Sequence, residues 1–281
     1  MATLRELKKR LGGVKTTKAL AGAMKTVATA KYSRVNAELN GYSTYASRCE
    51  RLLTYSDPAE KYREGEEDGK TVYVLISGNR GLCGGYNGEL LSYFNEIRSK
   101  CGENALFVTC GKIAADFFRD KKIGSLAAFA VSDVPTFAES SAGSSFLRKL
   151  YATGGVSEII LIRQNFYNML KQTPESKRFL PQNRGTESTY PGGDEVVFLP
   201  DRETVSQAAF DYCTDAAMYS VLLNCAAGAQ AATIMAMRAA YDNANESESA
   251  LETAINRRRQ SEVTASVIET ASDNYEQKGV N

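Results

Sequence analysis

The pattern of apolar and polar positions gives the chain two long helical ends and a middle section of short apolar runs. From Leu4 to Leu53, apolar or small residues recur at alternating intervals of three and four. This heptad spacing is typical of a helix that packs along one stripe of its surface. Lys18 and Lys25 are polar interruptions of the stripe. We predict an N-terminal helix that ends near Asp57 and Pro58 and that packs against a second helix.

The C-terminal stretch from Val205 to Val267 contains no proline and is rich in alanine, which predicts one very long helix. Asp201, just after Pro200, is the predicted N-cap of this helix. Small residues fill its middle at Ala226, Ala227, Gly228, Ala231, Ala232, Ala236, Ala239 and Ala240. Larger apolar groups recur at Ile234, Met237, Tyr241, Ala244, Leu251 and Ile255. The two ends of the chain are therefore predicted to pair.

An antiparallel pairing of the two helices follows if both are joined to the middle section. Residue i then lies roughly opposite residue 258 minus i, so the small-residue stretch Thr16–Lys31 faces Ala227–Asp242. The last helix should outlast the first by about two dozen residues, or roughly 30 to 35 Å. A single helix is marginal in water. We therefore expect a partner to surround the projecting end.

The middle section predicts an α/β fold, a Rossmann-like domain with a mostly parallel sheet, because strands alternate with helices. The predicted strands are Thr71–Ser77, Ala105–Cys110, Ser125–Val131, Glu158–Arg163 and Glu195–Leu199. The predicted helices lie near Glu89–Arg98, Lys112–Arg119 and Glu139–Leu150, and Lys171–Gly193 is interpreted as a polar excursion. The prolines divide the chain into domains at residues 1–57, 70–200 and 201–281, of which the first and last form a long antiparallel coiled coil.

Composition excludes several classes of function. The formal net charge of +1 argues against a general nucleic-acid-binding protein, although the first 34 residues are strongly basic. We identify no apolar run of the roughly 18 residues needed to span a membrane, so we expect membrane association to be indirect. The chain has six scattered cysteines and no histidine, which argues against a zinc site or a disulfide framework. We expect free thiols in a reducing compartment, no metal and no cofactor.

The glycine-rich turn Ile76–Gly85 follows a predicted strand, at the place where phosphate sites are often built. Its glycines do not form GxGxxG, and no P-loop lysine follows. Cys83 lacks a histidine that could activate it as a nucleophile. Two alternatives stay open beside a turn that contacts a partner: a nucleotide-binding α/β enzyme that uses the Gly78–Gly85 loop, or a coiled-coil scaffold at an acidic membrane surface. We nominate no catalytic residue.

The motifs at both ends and in the turn resemble those of the γ subunit of F-type ATP synthase, the central rotor stalk. At the N-terminal end these are Ala2-Thr3-Leu4 and the run Lys18–Arg34; in the turn they are Ser77, Arg80, Gly81, Leu82, Cys83 and Gly84. At the C-terminal end they are Gln230, Ala231, Ala232, Ala236, Met237, Ala240, Asn243, Arg259, Gln260 and Thr264. The resemblance covers nearly the whole chain.

This resemblance implies a non-catalytic subunit of the proton-transporting ATPase. Its coiled coil would lie inside a hexamer of α and β subunits, with a foot on the membrane c-ring and on δ/ε-type stalk subunits. Rotation would couple proton transport to conformational change at catalytic sites on β, and thereby to ATP synthesis. The expected partner-contact residues are Lys8, Lys9, Met24, Arg80, Cys83, Arg257, Arg258, Arg259, Gln260 and Thr264.

The chain departs from the family pattern at several polar positions. Gly22 stands in place of a lysine, Ala229 and Thr233 replace an acidic residue and an arginine, and Asn79 replaces an acidic residue. Ser272–Asn281 replaces the usual small-residue ending. These departures suggest a divergent lineage. We expect a peripheral protein on the matrix side of the mitochondrial inner membrane, with the cytoplasmic side of a bacterial plasma membrane as the alternative.

Overall fold

The computed structural model describes residues 3–55, 69–102, 104–153, 155–181 and 197–278. The chain forms two compact units, one made of residues up to Val27 and from Ala236 onward, the other of Ala28–Met235. The helices are α1 Leu4–Tyr55, α2 Tyr86–Lys100, α3 Lys112–Asp120, α4 Phe137–Ala152 and α5 Arg202–Lys278. The strands are β1 Lys70–Ile76, β2 Ala105–Cys110, β3 Ala127–Phe129, β4 Val156–Phe166 and β5 Gln172–Leu180.

The unit Ala28–Met235 is built on a five-stranded sheet in the order β3-β2-β1-β4-β5. Four strands are parallel, and β5 pairs antiparallel with β4. Successive side chains of β1 point to opposite faces, so Val74 and Ile76 belong to one apolar cluster and Leu75 to the other. The prediction of a mostly parallel, Rossmann-like sheet is confirmed.

Helices cover both faces of this sheet. Leu90 and Phe94 of α2 and Phe118 of α3 pack on one face. Leu147 of α4 and Met218 of α5 pack on the other. The first part of α5 is therefore a core helix of the α/β layer. The predicted domain boundary between residues 200 and 201 separates this helix from the sheet on which it packs. The division into three domains stays a prediction.

The helices α1 and α5 pair antiparallel in each unit. In one, Lys15 lies near Glu252 and Lys18 near Asn245. In the other, Cys49 packs with Cys213, and Val35 belongs to the same cluster as Leu223. The residue numbers of facing α1 and α5 residues sum to 257–262 in the Ala28–Met235 unit. In the other unit, the numbers of the residues joined by hydrogen bonds and ion pairs sum to 263–267.

The buried side of α1 follows the heptad predicted from the sequence. Ala21, Ala28 and Val35 are buried at intervals of seven residues, and Cys49 is buried two intervals later. The sum of partner numbers exceeds the expected 258 in the unit that holds both chain ends. Leu4 therefore lies opposite roughly residue 263, and α5 outlasts α1 by about 16 residues, or ~24 Å, which is less than expected. The coiled-coil supercoil stays a prediction.

Several predicted elements differ from the structure. The segment interpreted as a polar excursion contains β5, an edge strand that carries Glu175, Lys177 and Arg178 and so lacks the alternation of a half-buried strand. Residues 197–199 of the predicted last strand are not in a strand, and 195–196 lie outside the described residues. The predicted end of the first helix near Asp57 also lies outside them, beyond Tyr55.

Asp201 caps α5 as predicted. The backbone amide of Thr204 donates to Asp201 Oδ1 at 2.8 Å, and the Thr204 hydroxyl donates to Oδ2 at 2.8 Å. These hydrogen bonds hold the pKa of Asp201 below its usual value. The cap fixes the position at which the long helix begins.

Candidate functional site

The turn between β1 and α2 is held from inside by one side chain, Asn87 of α2. The Asn87 Oδ1 accepts from the amide of Gly78 at 3.3 Å, and its Nδ2 donates to the Arg80 carbonyl at 3.0 Å and to Cys83 Sγ at 3.1 Å. Leu82 lies in the left-handed region with φ 62° and is 60% exposed. The turn therefore presents Leu82 and the backbone around it to the outside.

The two turn residues expected to contact a partner occupy different environments. The Arg80 side chain is 73% exposed, whereas Cys83 is buried and its Sγ accepts a hydrogen bond from Asn87 Nδ2. Burial raises the pKa of the Cys83 thiol. Because its side chain is exposed, Arg80 can contact a partner directly, whereas the buried Cys83 side chain stabilises the turn.

Asp133 joins this turn to α1 through three donors. Its carboxylate accepts from Lys31 Nζ, accepts from Asn79 Nδ2 at 3.3 Å and lies 3.4 Å from Arg80 Nε. Burial alone would raise the pKa of Asp133, but these hydrogen bonds and the charges of Lys31 and Arg80 outweigh it and lower the pKa. The sequence analysis missed Asp133, since it lies in a loop with no motif around it.

Asn79, which replaces an acidic residue of the family pattern, uses its amide as a donor. Its Nδ2 donates to the Val131 carbonyl as well as to Asp133, and its Oδ1 accepts from the Lys112 amide at 3.1 Å. A carboxylate could make the last bond but not the first two. The substitution therefore suits the local hydrogen bonds of this chain.

The crevice in which a nucleotide would bind is filled by α5. In open α/β sheets, ligands bind beyond the carboxyl ends of the strands where the strand order reverses, which here is between β1 and β4. At this place Gly228 packs so closely on Tyr86 that an added Cβ would lie 3.1 Å from the ring. The Tyr86 hydroxyl donates to the Cys225 carbonyl at 2.8 Å.

Asn224 fastens the same part of α5 to the end of β4. Its Oδ1 accepts from the Phe166 amide at 2.9 Å, and its Nδ2 donates to the Phe166 carbonyl at 3.0 Å. Gln164 donates to the Tyr86 carbonyl at 3.0 Å. The long helix α5 therefore packs at the switch point of the sheet. The glycine pattern of the turn did not predict this packing.

In the unit that holds both chain ends, the polar interruptions of the α1 stripe find partners on α5. Lys18 Nζ lies 2.8 Å from Glu248 and 2.7 Å from Asn245 Oδ1. Lys25 Nζ lies 5.4 Å from the centroid of the Tyr241 ring, a cation–π contact. An added Cβ at Gly22 would lie 3.6 Å from the same ring, so the missing lysine of the family pattern leaves room for Tyr241.

The remaining predicted contact residues lie mostly on the surface of this unit. Lys8 and Lys9 are exposed, and Met24 is half-buried. Arg257, Arg259, Gln260 and Thr264 are exposed, while Arg258 is half-buried, with its Nε 3.1 Å from Glu262. The Thr264 hydroxyl donates to the Gln260 carbonyl at 2.9 Å. Their role in contacting a partner stays a prediction.

The helix α5 contains an apolar window that bears on whether the chain could cross a membrane. Within the described part of α5, between Arg202 and Ile268, one 18-residue window has a mean hydropathy of 1.4, enough to span a membrane by length and composition. The sequence analysis did not identify this window. It is weak evidence for a span, since 44% of it is buried and the helix packs on the sheet. The described residues contain no group of three possible metal ligands.

A comparison with known proteins decides the family. A family model described as ATP synthase matches residues 3–272. The ATP synthase gamma chain of Moorella thermoacetica is 30% identical over 275 residues, covering 96% of this chain and 97% of that one. The chain belongs to the ATP synthase γ-subunit family. The gamma chain of Leptospira biflexa is 29% identical over 281 residues, with the same coverage.

Chains in solved structures of mitochondrial ATP synthases share the fold. A chain in the Euglena gracilis mitochondrial ATP synthase, in a structure of OSCP, F1 and c-ring, matches with a TM-score of 0.69 at 16% identity, covering 99% of this chain and 96% of that one. A chain in the rotor of the same enzyme matches with a TM-score of 0.67 at 16% identity, covering 92% and 98%. As a γ subunit of ATP synthase, the chain is the central rotor stalk.

The predicted mitochondrial location is wrong. The similar gamma chains come from bacteria, among them Moorella thermoacetica, Leptospira biflexa and Rubrobacter xylanophilus, which points to a bacterial plasma membrane. The mitochondrial structures match at 16% identity and speak for the fold alone. The polar departures that suggested a divergent lineage, such as Gly22 and Asn79, are accommodated by local packing and hydrogen bonds.

Proposed function

We propose that this chain acts as a non-catalytic shaft that couples rotation of the membrane ring to conformational change at catalytic sites on β subunits. A hexamer of α and β subunits would surround the helix pair, and the c-ring and δ/ε-type stalk subunits would hold the foot. The Tetrahymena thermophila structure that shares the fold, with a TM-score of 0.63 at 18% identity, is described as a central stalk with c-ring. That description supports a ring as partner.

The exposed end of α5 is the observation that carries this proposal. Every described side chain from Arg259 to Ile268 is exposed, including the apolar Val263 and Val267. Beyond roughly residue 263, α5 extends past Leu4, the first residue of α1, and a lone helix with exposed apolar side chains is marginal in water, so a surrounding partner would stabilise it. A hexamer with a central cavity offers such a partner.

The filled crevice supports a role without bond chemistry. Gly228 and Asn224 occupy the place where a doubly wound sheet would bind a nucleotide. A nucleotide-binding enzyme would need that space. We therefore assign ATP chemistry to the β subunits and mechanical coupling to this chain.

We assign the partner contacts in two groups. Lys8, Lys9, Met24 and the run Arg257–Gln260 with Thr264 would meet the inner wall of the hexamer. Arg80, which is exposed and oriented by Asp133, would meet β subunits from the turn after β1. Cys83 would act through the turn backbone, since its side chain is buried.

A truncation tests the proposal. The chain ended after Gln260, and a control shortened only by its last three residues, are each co-expressed with all the other subunits of a bacterial ATP synthase, including the membrane ring, and the complexes are reconstituted into vesicles. The control should assemble and pump protons with ATP. The truncated chain should lose coupling, with more ATP hydrolysed per proton moved. Equal coupling in both would contradict the role of the α5 end, and micromolar binding of ATP or NAD by the isolated chain would contradict the non-catalytic assignment.

A further inference from the structure

Two of the six cysteines lie against each other between α1 and α5. Cys49 of α1 and Cys213 of α5 belong to one buried cluster with Ala216. Both are free thiols, 7% and 1% exposed. The two residues are 164 positions apart in sequence, so it is the pairing of the helices that brings them into one cluster.

Aromatic side chains surround this thiol pair. Tyr42 and Tyr45 of α1 pack on the cluster, and the Tyr45 ring lies 6.2 Å from that of Tyr212 of α5. Burial, together with the neighbouring Cys49, raises the pKa of Cys213 to about 12. The Cys213 thiol therefore stays protonated at neutral pH, and Cys49, the more exposed of the two, is the thiol placed to react first.

We propose that Cys49 and Cys213 are a modification site, a redox-sensitive dithiol that a disulfide oxidant converts into an intrachain disulfide joining α1 to α5. The bond would fix the register of the two helices covalently, whatever partners the chain has. This goes beyond the expectation of free thiols in a reducing compartment.

The chemistry needs an external oxidant of the disulfide class, for which oxidised glutathione is the probe. The Cys49 thiolate, the more exposed of the two, attacks one glutathione sulfur; the glutathione disulfide bond breaks and one glutathione leaves as its thiol. The Cys213 thiolate then attacks the Cys49 sulfur and releases the second glutathione. One protein S–S bond forms, two S–H bonds are lost, and both protons and both electrons end on two glutathione thiols.

The test is a cysteine map of the purified full-length chain after incubation with oxidised glutathione. Free thiols are alkylated, the chain is digested without reduction, and linked peptides are identified by mass spectrometry. We expect the peptides of Cys49 and Cys213 to be linked at least about tenfold more than any other cysteine pair, because their proximity makes the second step intramolecular. Reduction should separate them.

Two variants serve as controls. Cys110→Ser removes a buried thiol in a different cluster and should leave the link intact. Cys49→Ser should abolish it. Oxidation should raise the urea midpoint of the wild type and of Cys110→Ser, but not that of Cys49→Ser. Two outcomes in the wild type alone would overturn the proposal. In one, Cys49 and Cys213 of the folded, oxidised chain are still alkylated; in the other, links are spread evenly over all cysteines.

Discussion

Gly228 tests most sharply how α5 is seated on the α/β layer. A Cβ added at Gly228 would lie 3.1 Å from Tyr86 Cε2, 3.4 Å from Phe166 Cβ and 3.5 Å from the Tyr86 hydroxyl. Neither neighbour can move freely, because Tyr86 is buried and donates to the Cys225 carbonyl, while Phe166 Cβ is fixed to the backbone of β4. An alanine at this position is therefore overpacked.

The magnitude follows from two opposing terms. Replacing a glycine by alanine inside a helix stabilises by up to about 1 kcal/mol. Overpacking a well-packed core costs about 1–3 kcal/mol. Gly228→Ala should therefore destabilise the Ala28–Met235 unit by about 1 kcal/mol. Gly143→Ala in α4 is the matched control, since a Cβ there meets nothing within 4 Å and the variant should stabilise the unit.

The assay is urea unfolding of the purified chain, followed by circular dichroism at equilibrium. The unfolding midpoint should fall for Gly228→Ala and rise for Gly143→Ala, and the two free energies of unfolding should differ by about 1–3 kcal/mol. If both variants stabilise the chain equally, α5 is not packed against Tyr86 as described, and the argument that it fills the crevice fails.

Two further predictions concern charged groups that are buried or half-buried. Arg148 Nη1 pairs with Asp215 between α4 and α5. Arg148→Met should lower the free energy of unfolding by about 3 kcal/mol in the same urea assay, because it leaves a buried carboxylate without its cation. The control Lys149→Met, at an exposed position, should change it by less than about 0.5 kcal/mol. Asp133 has a folded-state pKa below its ordinary 3.8, so its contribution is present above that value and lost as the pH falls through the folded pKa. The stability advantage of the wild type over Asp133→Asn should therefore shrink below about pH 4; an advantage that stays constant from pH 7 to pH 3 would contradict the proposed pairing.

The sequence predicted features that depend on local periodicity. The buried positions Ala21, Ala28 and Val35 follow the heptad because the period of a helix is a property of the chain itself. The partners of Lys18 and Lys25 could not be predicted in the same way. Glu248 and Tyr241 lie more than 200 residues away, and their register depends on the whole helix pair.

The sequence predicted the α/β class but not how the site is assembled. The edge strand β5 was missed because Glu175, Lys177 and Arg178 hide its alternation. The role of α5 as a layer of the sheet was missed because an Ala-rich stretch suits a helix pair and a sheet face equally. Asp133 acquires its role only when folding places Lys31 and Arg80 beside it.

Rotation of single complexes tests the central claim most directly. The chain is assembled with α and β subunits of a bacterial ATP synthase fixed to a surface, and a bead is attached at Leu170, which is 84% exposed in the hairpin between β4 and β5. A rotor predicts that the bead turns in one direction when ATP is added and stops when ATP is withdrawn. A complex that hydrolyses ATP while the bead stays still would contradict the account.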